Sequence, residues 1–299
     1  MVGTKRTTLD PTLDFTFKVL LGSPEGKSSL VALLNTVLRP ATPVRDVRVL
    51  NSEVSRRELE DKTIVLDLLV ELDDGSRTNI EMQVLKVRGF RARSLYYWAR
   101  VFGSQLNRGD DYTALKPVIS ILFLDYVELP GARLHSVFRL SEIHDGTVLT
   151  NALELHVIEL PKRGLAQQED ADLLAWCQFL GADTDEEVQE ACMANPAVEH
   201  ANELLEELSN EPTIRDQAWH RQLAIDLRRI EMATIREEKR EAREEGLAEG
   251  LAEGLRAGVV ALAEVLGVEL DAARKDQLAR MSANELQELI IHLRRAQSW

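Results

Sequence analysis

Asp67, Glu81 and Gln83 are the side chains in this sequence best placed to do chemistry. All three fall within residues 64–84, two alternating runs joined through Asp73, Asp74 and Gly75. The first run puts Ile64, Leu66, Leu68, Val70 and Leu72 on one face and Asp67 on the other, with Val65, Leu69 and Glu71. The second puts Ile80, Met82 and Val84 on one face and Asn79, Glu81 and Gln83 on the other. A two-residue loop at Asp74 and Gly75 would set Asp67 opposite Met82. A three-residue loop, Asp73-Asp74-Gly75, pairs Leu72 with Ser76 and therefore Asp67 with Glu81. Only the second register separates apolar from polar side chains, so the hydrophobic pattern selects it. Gly75 also suits the left-handed residue that closes a type I turn in such a loop.

Residues directly opposed in a sheet have Cβ atoms about 4.5–5.5 Å apart, and like charges there repel. On a wet face Asp67 and Glu81 would simply be solvated. The nearly continuous apolar run Leu66, Leu68, Leu69 and Val70 instead reads as a strand covered on both sides. Buried paired carboxylates require a cation or a shared proton. Mg²⁺ (or Mn²⁺) accepts such oxygen ligands together with a carbonyl and water.

The surrounding pattern predicts the elements that would position these groups. Residues 12–38 read as two helices broken at Gly22-Ser23-Pro24, and 44–50 as a strand. After the hairpin a helix is expected over 88–107, a buried strand over 116–124, and strands near 135–142 and 153–160. Past Pro161 the chain turns helical and acidic, with helices over 168–180, 184–194, 197–209 and 213–245. Glycines 246, 250, 254 and 258 recur every fourth residue, either as a helix stripe for close backbone approach and self-association or as a pliable linker. Each costs a helix about 1 kcal/mol relative to Ala. The expected division is 1–165, a core α/β domain; 166–245, a helical extension; 246–258, a Gly-repeat helical linker; and 259–299, a small helical unit. The order of elements predicts a mixed sheet flanked by helices.

The formal charge of −14 is unevenly spread. Residues 1–130 carry 18 Lys/Arg against 17 Asp/Glu, whereas residues 131–299 carry 18 against 33. Acidity overall therefore does not exclude nucleic acid as a partner. Lys86, Arg88, Arg91 and Arg93 cluster beside the hairpin at the start of a helix, where phosphate contacts would give affinity without sequence information. Tyr96, Tyr97, Trp98 and Phe102 follow at helical spacing, as core residues more readily than base-stacking ones. Gln105 lies on the same face, two turns after Tyr97. No run of about 18 apolar residues is present. Cys177 and Cys192 form neither a disulfide framework nor a zinc motif. The chain reads as cytoplasmic and without a membrane partner. Residues 22–28 imitate a phosphate-binding loop but have three residues between the glycines rather than four, and they follow a helical pattern; an interhelix turn is expected.

In these segments the sequence resembles the PD-(D/E)XK nuclease superfamily, most closely the recombination-promoting nuclease and transposase branch. The similarity spans about residues 10–161. It runs through residues 14–18, 79–84, 96–98, 111–117, 135–139 and 156–161. The ordered series carries the resemblance; no single motif does. It implies a restriction-endonuclease-like α/β core and metal-dependent hydrolysis of DNA phosphodiester bonds in the service of recombination. By the same resemblance Asp67 and Glu81 match the metal-binding acids, the Met82 carbonyl the backbone ligand, and Asp14 a supporting acid on the first helix, with Lys18 one turn later. Gln83 stands where the motif has lysine, and Leu66 where it has proline. The missing lysine removes a positive charge that would orient the attacking water. An active endonuclease is the first expectation. The alternative is a catalytically weak or inactive DNA-binding or regulatory protein that kept the fold. A third expectation is a scaffold that self-associates through the C-terminal helical region.

Overall fold

The computed structural model describes residues 4–50, 68–165, 170–296 and 298–299. Asp67 lies outside the described residues. The described chain divides into two compact units, residues 1–225 and 226–299.

The first unit is built on a six-stranded mixed sheet. Its strands are β1 (Val47–Val49), β2 (Leu68–Leu72), β3 (Arg77–Gln83), β4 (Val118–Leu124), β5 (His135–Ser141) and β6 (Val148–Glu159), in the spatial order β1-β2-β3-β4-β6-β5. The β3–β4 and β4–β6 pairs are parallel and the others antiparallel. The hairpin takes the three-residue loop. Leu69 pairs with Asn79 and Glu71 with Arg77, Leu72 N–H donates to the Ser76 carbonyl (2.9 Å), and Gly75 N–H donates to the Leu72 carbonyl (3.0 Å). Gly75 has φ +83°, a conformation that disfavours any residue bearing a Cβ.

Both faces of the sheet are covered, as the apolar run in β2 predicts. Alternation sends Leu68, Val70, Leu72, Ile80, Met82, Ile121 and Phe123 to one face. There they meet α1 (Asp14–Gly22) and α2 (Lys27–Leu38), including Phe17, Leu20, Leu30 and Leu34, all essentially inaccessible. Burying each such side chain contributes about 1.5–3 kcal/mol. The turn between the two helices is tight: a Cβ on Gly26 would lie 1.8 Å from the Leu20 carbonyl oxygen. It is thus an interhelix turn, as its sequence predicts.

Helices α4 (Ala171–Leu180), α5 (Asp185–Ala194) and α6 (Pro196–Asn210) join this same core through Leu173, Trp176, Phe179, Val188 and Leu205. The expected boundary near residue 165 therefore falls inside a continuous core. Each helix opens on a side-chain cap: Asp170 accepts from Asp172 N–H, Thr184 from Glu187 N–H, and Asn195 from Ala197 N–H ahead of Pro196.

The opposite face of the sheet is roofed by α3 (Phe90–Gly103), the crossover between β3 and β4. Tyr97, Trp98 and Phe102 pack with Leu69, Val101 and Val118. Trp98 also donates its indole N–H to the Val118 carbonyl (2.9 Å) and stacks on Phe102. The expectation of core packing holds for these three, whereas Tyr96 is 46% exposed.

Helix α7 (Pro212–Leu266) continues through the glycine repeat instead of ending at residue 245. In the second unit Ala252 and Val259 of α7 pack with Leu278 of α8 (Ala272–Arg280) and with Leu286 and Leu293 of α9 (Ala283–Ala296). This packing offsets the helix cost of the glycines. Only Gly258 approaches another element, with a Cβ position 4.0 Å from Ile290; positions 246, 250 and 254 face open space. Among the described residues, no helix is long and apolar enough to cross a membrane.

Candidate active site

Alternation along β3 turns Asn79, Glu81 and Gln83 toward α3, away from the core that receives Ile80 and Met82. The Glu81 carboxyl is almost fully buried there, its side chain only 10% exposed. Burial pushes its pKa up, and the nearby Arg93 guanidinium offsets this in part.

Arg93, in the first turn of α3, is the cation of this pocket. Its Nη2 lies 3.0 Å from Glu81 Oε1 and also donates to Gln83 Oε1. Gln83 is held in turn: its Nε2 donates to the Leu85 carbonyl (3.1 Å), which faces its amide oxygen toward Arg93. Tyr97, one helical turn after Arg93, presents its ring 5.7 Å from the guanidinium carbon.

Further polar groups share this face. Asn79 Oδ1, Ser120 Oγ, Tyr126 Oη and Arg93 Nε are buried with no hydrogen-bond partner among the described residues. Asn79 and Ser120 sit side by side on β3 and β4. Burial first, then the charge of Glu128, raises the Tyr126 pKa, so its hydroxyl keeps its proton and remains a donor. At the end of β6, Glu159 Oε1 accepts from the backbone N–H groups of Glu128 (2.6 Å) and Leu129 (3.0 Å), and Glu159 Oε2 accepts from Lys162 (2.5 Å). Glu81, Gln83, Tyr126 and Glu159 lie at or just past the carboxyl ends of the parallel strands, where ligands bind in open α/β sheets, whereas Asn79 and Ser120 sit nearer the amino ends. Glu159 was open to the same parity argument as Asp67, because it closes the apolar run Val157-Ile158-Glu159-Leu160.

The sequence-selected basic residues are placed unequally. Lys86 (3.0 Å) and Arg91 (3.0 Å) both pair with Glu128. Burial alone would raise the Glu128 pKa, but hydrogen bonds from these two cations outweigh it and hold the carboxyl below its ordinary range. Arg93 is committed to Glu81 and Gln83. Arg88 is exposed and forms no ion pair among the described residues. Gln105 does not reach Glu81; it makes two 3.0 Å hydrogen bonds to the Lys116 backbone. Asp14 starts α1, on the other side of the sheet from α3. Its Oδ1 accepts from Phe15 N–H (2.8 Å), and Arg221 lies 4.0 Å from Oδ2.

Among the described residues, no three His, Cys, Asp or Glu side chains cluster as a metal site. The oxygen donors nonetheless suit a hard divalent cation: a desolvated carboxylate at Glu81 and an amide oxygen two residues on, both directed at one positive group. The Met82 side chain is buried on the opposite face, so only its backbone oxygen is available for ligation.

A family model described as PD-(D/E)XK nuclease family transposase matches residues 11–229. No curated protein and no solved structure matches the chain. PD-(D/E)XK nucleases generally use divalent metals, and their substrate is DNA. The matched span contains the whole six-stranded sheet, the Glu81 pocket and helices α1 to α6. The chain belongs to the PD-(D/E)XK nuclease family of transposases.

Proposed function

We propose that this protein is a divalent-metal-dependent deoxyribonuclease that hydrolyses DNA phosphodiester bonds and promotes recombination. The observation that carries the reading is the buried Glu81 carboxylate on the α3 face of the sheet, with Gln83 two residues on. A desolvated acid at this point of a nuclease-family sheet is costly to folding and calls for a cation. When bound, Mg²⁺ or Mn²⁺ would lower the pKa of a water and offset phosphate charge.

In this reading Asp67, Glu81 and the Met82 carbonyl hold the ion. The assignment of Asp67 rests on the hairpin parity of the sequence. Gln83 takes the place of the motif lysine and acts through the cation it holds. Lys86, Arg88 and Arg91, all exposed, meet the DNA backbone beside the pocket. The C-terminal helical region serves self-association. Its α7 leaves Leu247 and Leu251 exposed on the glycine-repeat segment.

One observation favours a catalytically weak DNA-binding protein instead: Arg93 already occupies Glu81 and Gln83. Incubation of supercoiled plasmid with Mg²⁺, Mn²⁺, Ca²⁺ or chelator decides between the two. The nuclease reading expects nicking with Mg²⁺ or Mn²⁺ that chelator abolishes. DNA binding without nicking by folded protein would favour the alternative. Truncation after residue 225, followed by mass determination in solution, tests the self-association; an unchanged oligomeric state removes it.

A further inference from the structure

Gln83 stands where the superfamily motif has lysine, and the contacts around it suggest what replaces that charge. We infer that Arg93 is the catalytic cation of this site and that Gln83 is the positioning residue that anchors it. The inference rests on the nuclease reading above.

The geometry is specific. Glu81 and Gln83 are two residues apart on one strand face, about 6.6 Å along the strand, yet both side chains converge on Arg93 Nη2. The Gln83 amide is locked by its bond to Leu85, so its oxygen points at the guanidinium. A lysine at position 83 would compete with Arg93 for this space and charge. Tyr97 backs the guanidinium. Nη2 makes the bonds to both Glu81 and Gln83, and Nε is buried with no partner among the described residues. The Arg93 side chain is 30% exposed, so its guanidinium, beside the carboxylate proposed to hold metal, can meet a phosphate oxygen. The positive charge therefore enters from α3, not from β3. It also rests on Glu81, so a divalent cation must compete with it there.

These two roles predict opposite effects on metal binding and on cleavage. Removing Arg93 takes away a like charge from the metal position. It also takes away the cation that faces the phosphate. Mn²⁺ binding to the DNA-free protein and Mn²⁺-dependent plasmid cleavage are measured for wild type, Arg93→Ala, Arg93→Lys, Glu81→Ala and the double variant Gln83→Lys/Arg93→Ala. Thermal melting of each shows that it is folded. Arg93→Ala is expected to bind Mn²⁺ about tenfold more tightly while its kcat falls about a hundredfold with little change in KM. Arg93→Lys keeps the charge and is expected to lie between wild type and Arg93→Ala in kcat, so it carries the test if the alanine variant does not fold. The double variant is expected to recover at least about a tenth of wild-type kcat, because lysine returns at the motif position. Arg93→Ala that cleaves like wild type, or binds Mn²⁺ more weakly, overturns the inference while the nuclease reading stands. A double variant no faster than Arg93→Ala does the same. Folded wild type that neither binds Mn²⁺ nor cleaves overturns the nuclease reading, and this inference with it.

Discussion

Replacing Arg93 with Met should make stability depend on pH in a way that reports the burial of Glu81. The Glu81 side chain is 10% exposed and that of Arg93 is 30%, with 3.0 Å between the charges. Removing one partner of a fully buried ion pair costs about 3–5 kcal/mol, because the remaining charge is left desolvated. Water still reaches the Arg93 side, so the expected loss at about pH 8 is nearer 2–3 kcal/mol. Protonation relieves it. Burial raises the folded Glu81 pKa above its ordinary 4.5, and removing Arg93 removes the charge that partly offsets that rise. Between 4.5 and the raised value the folded state holds a proton that the unfolded state has released. Stability therefore falls as pH rises through this window, by up to about 1.4 kcal/mol per pH unit, and the window is wider in the variant. Below it both states are protonated and the penalty disappears. Urea unfolding without divalent metal, followed by tryptophan fluorescence, measures this, since Trp98, Trp176 and Trp219 all belong to the first unit. The variant should approach wild type at about pH 5 and separate from it at about pH 8. Equal losses at both pH values, or no loss at pH 8, would refute the electrostatic account of the pocket.

Three further outcomes follow from local geometry. Gly75→Ala should cost about 1–2 kcal/mol in urea unfolding from its φ of +83° alone, because the added Cβ meets only Lys116, at ordinary contact distance; an unchanged midpoint would contradict the turn. Gly26→Ala should cost about 3 kcal/mol or prevent folding, since its Cβ would overlap the Leu20 carbonyl, and a thermal melt reads the difference. His135 should contribute to acid unfolding. Burial, and then the neighbouring His156, lowers its pKa from 6.5 to about 4, so the unfolded state takes up the proton first. Stability is lost as pH falls from 6.5 toward 4, by about 1–2 kcal/mol after allowance for the part of the ring that stays exposed. His135→Asn should flatten that limb of the pH–stability curve.

The hairpin was readable from sequence because the side-chain period of a strand is two. A register slip of one would have sent every apolar residue to the wrong face, and Gly75 fixed the loop that avoids it. The second covered face was readable for a related reason: Leu68, Leu69 and Val70 in succession leave neither side of β2 polar. Partners of helices were less legible. Periodicity in 171–210 identifies apolar faces but not the surface they meet, so α4 to α6 read as an extension although Trp176 and Phe179 complete the sheet's own core. Propensity misplaced the end of α7, because burial of Ala252 and Val259 against α8 and α9 outweighs the glycine cost. In the pocket, parity put Glu81 and Gln83 on one face. It could not assign Arg93 to them, because that contact depends on how α3 lies across the sheet. Arg93 read as one of four phosphate-facing cations, while its carboxylate partner sat twelve residues earlier on another element.

The most direct test of the nuclease account is single-turnover cleavage of supercoiled plasmid in Mn²⁺ by wild type, Asp67→Asn and Glu81→Gln, with folding of each verified by thermal melting. The two substitutions keep side-chain size and remove only the charge that would bind metal. The account predicts nicking by wild type and a loss of about a hundredfold or more in each variant. Equal rates in wild type and Glu81→Gln, or no cleavage by folded wild type that still binds DNA, would contradict it.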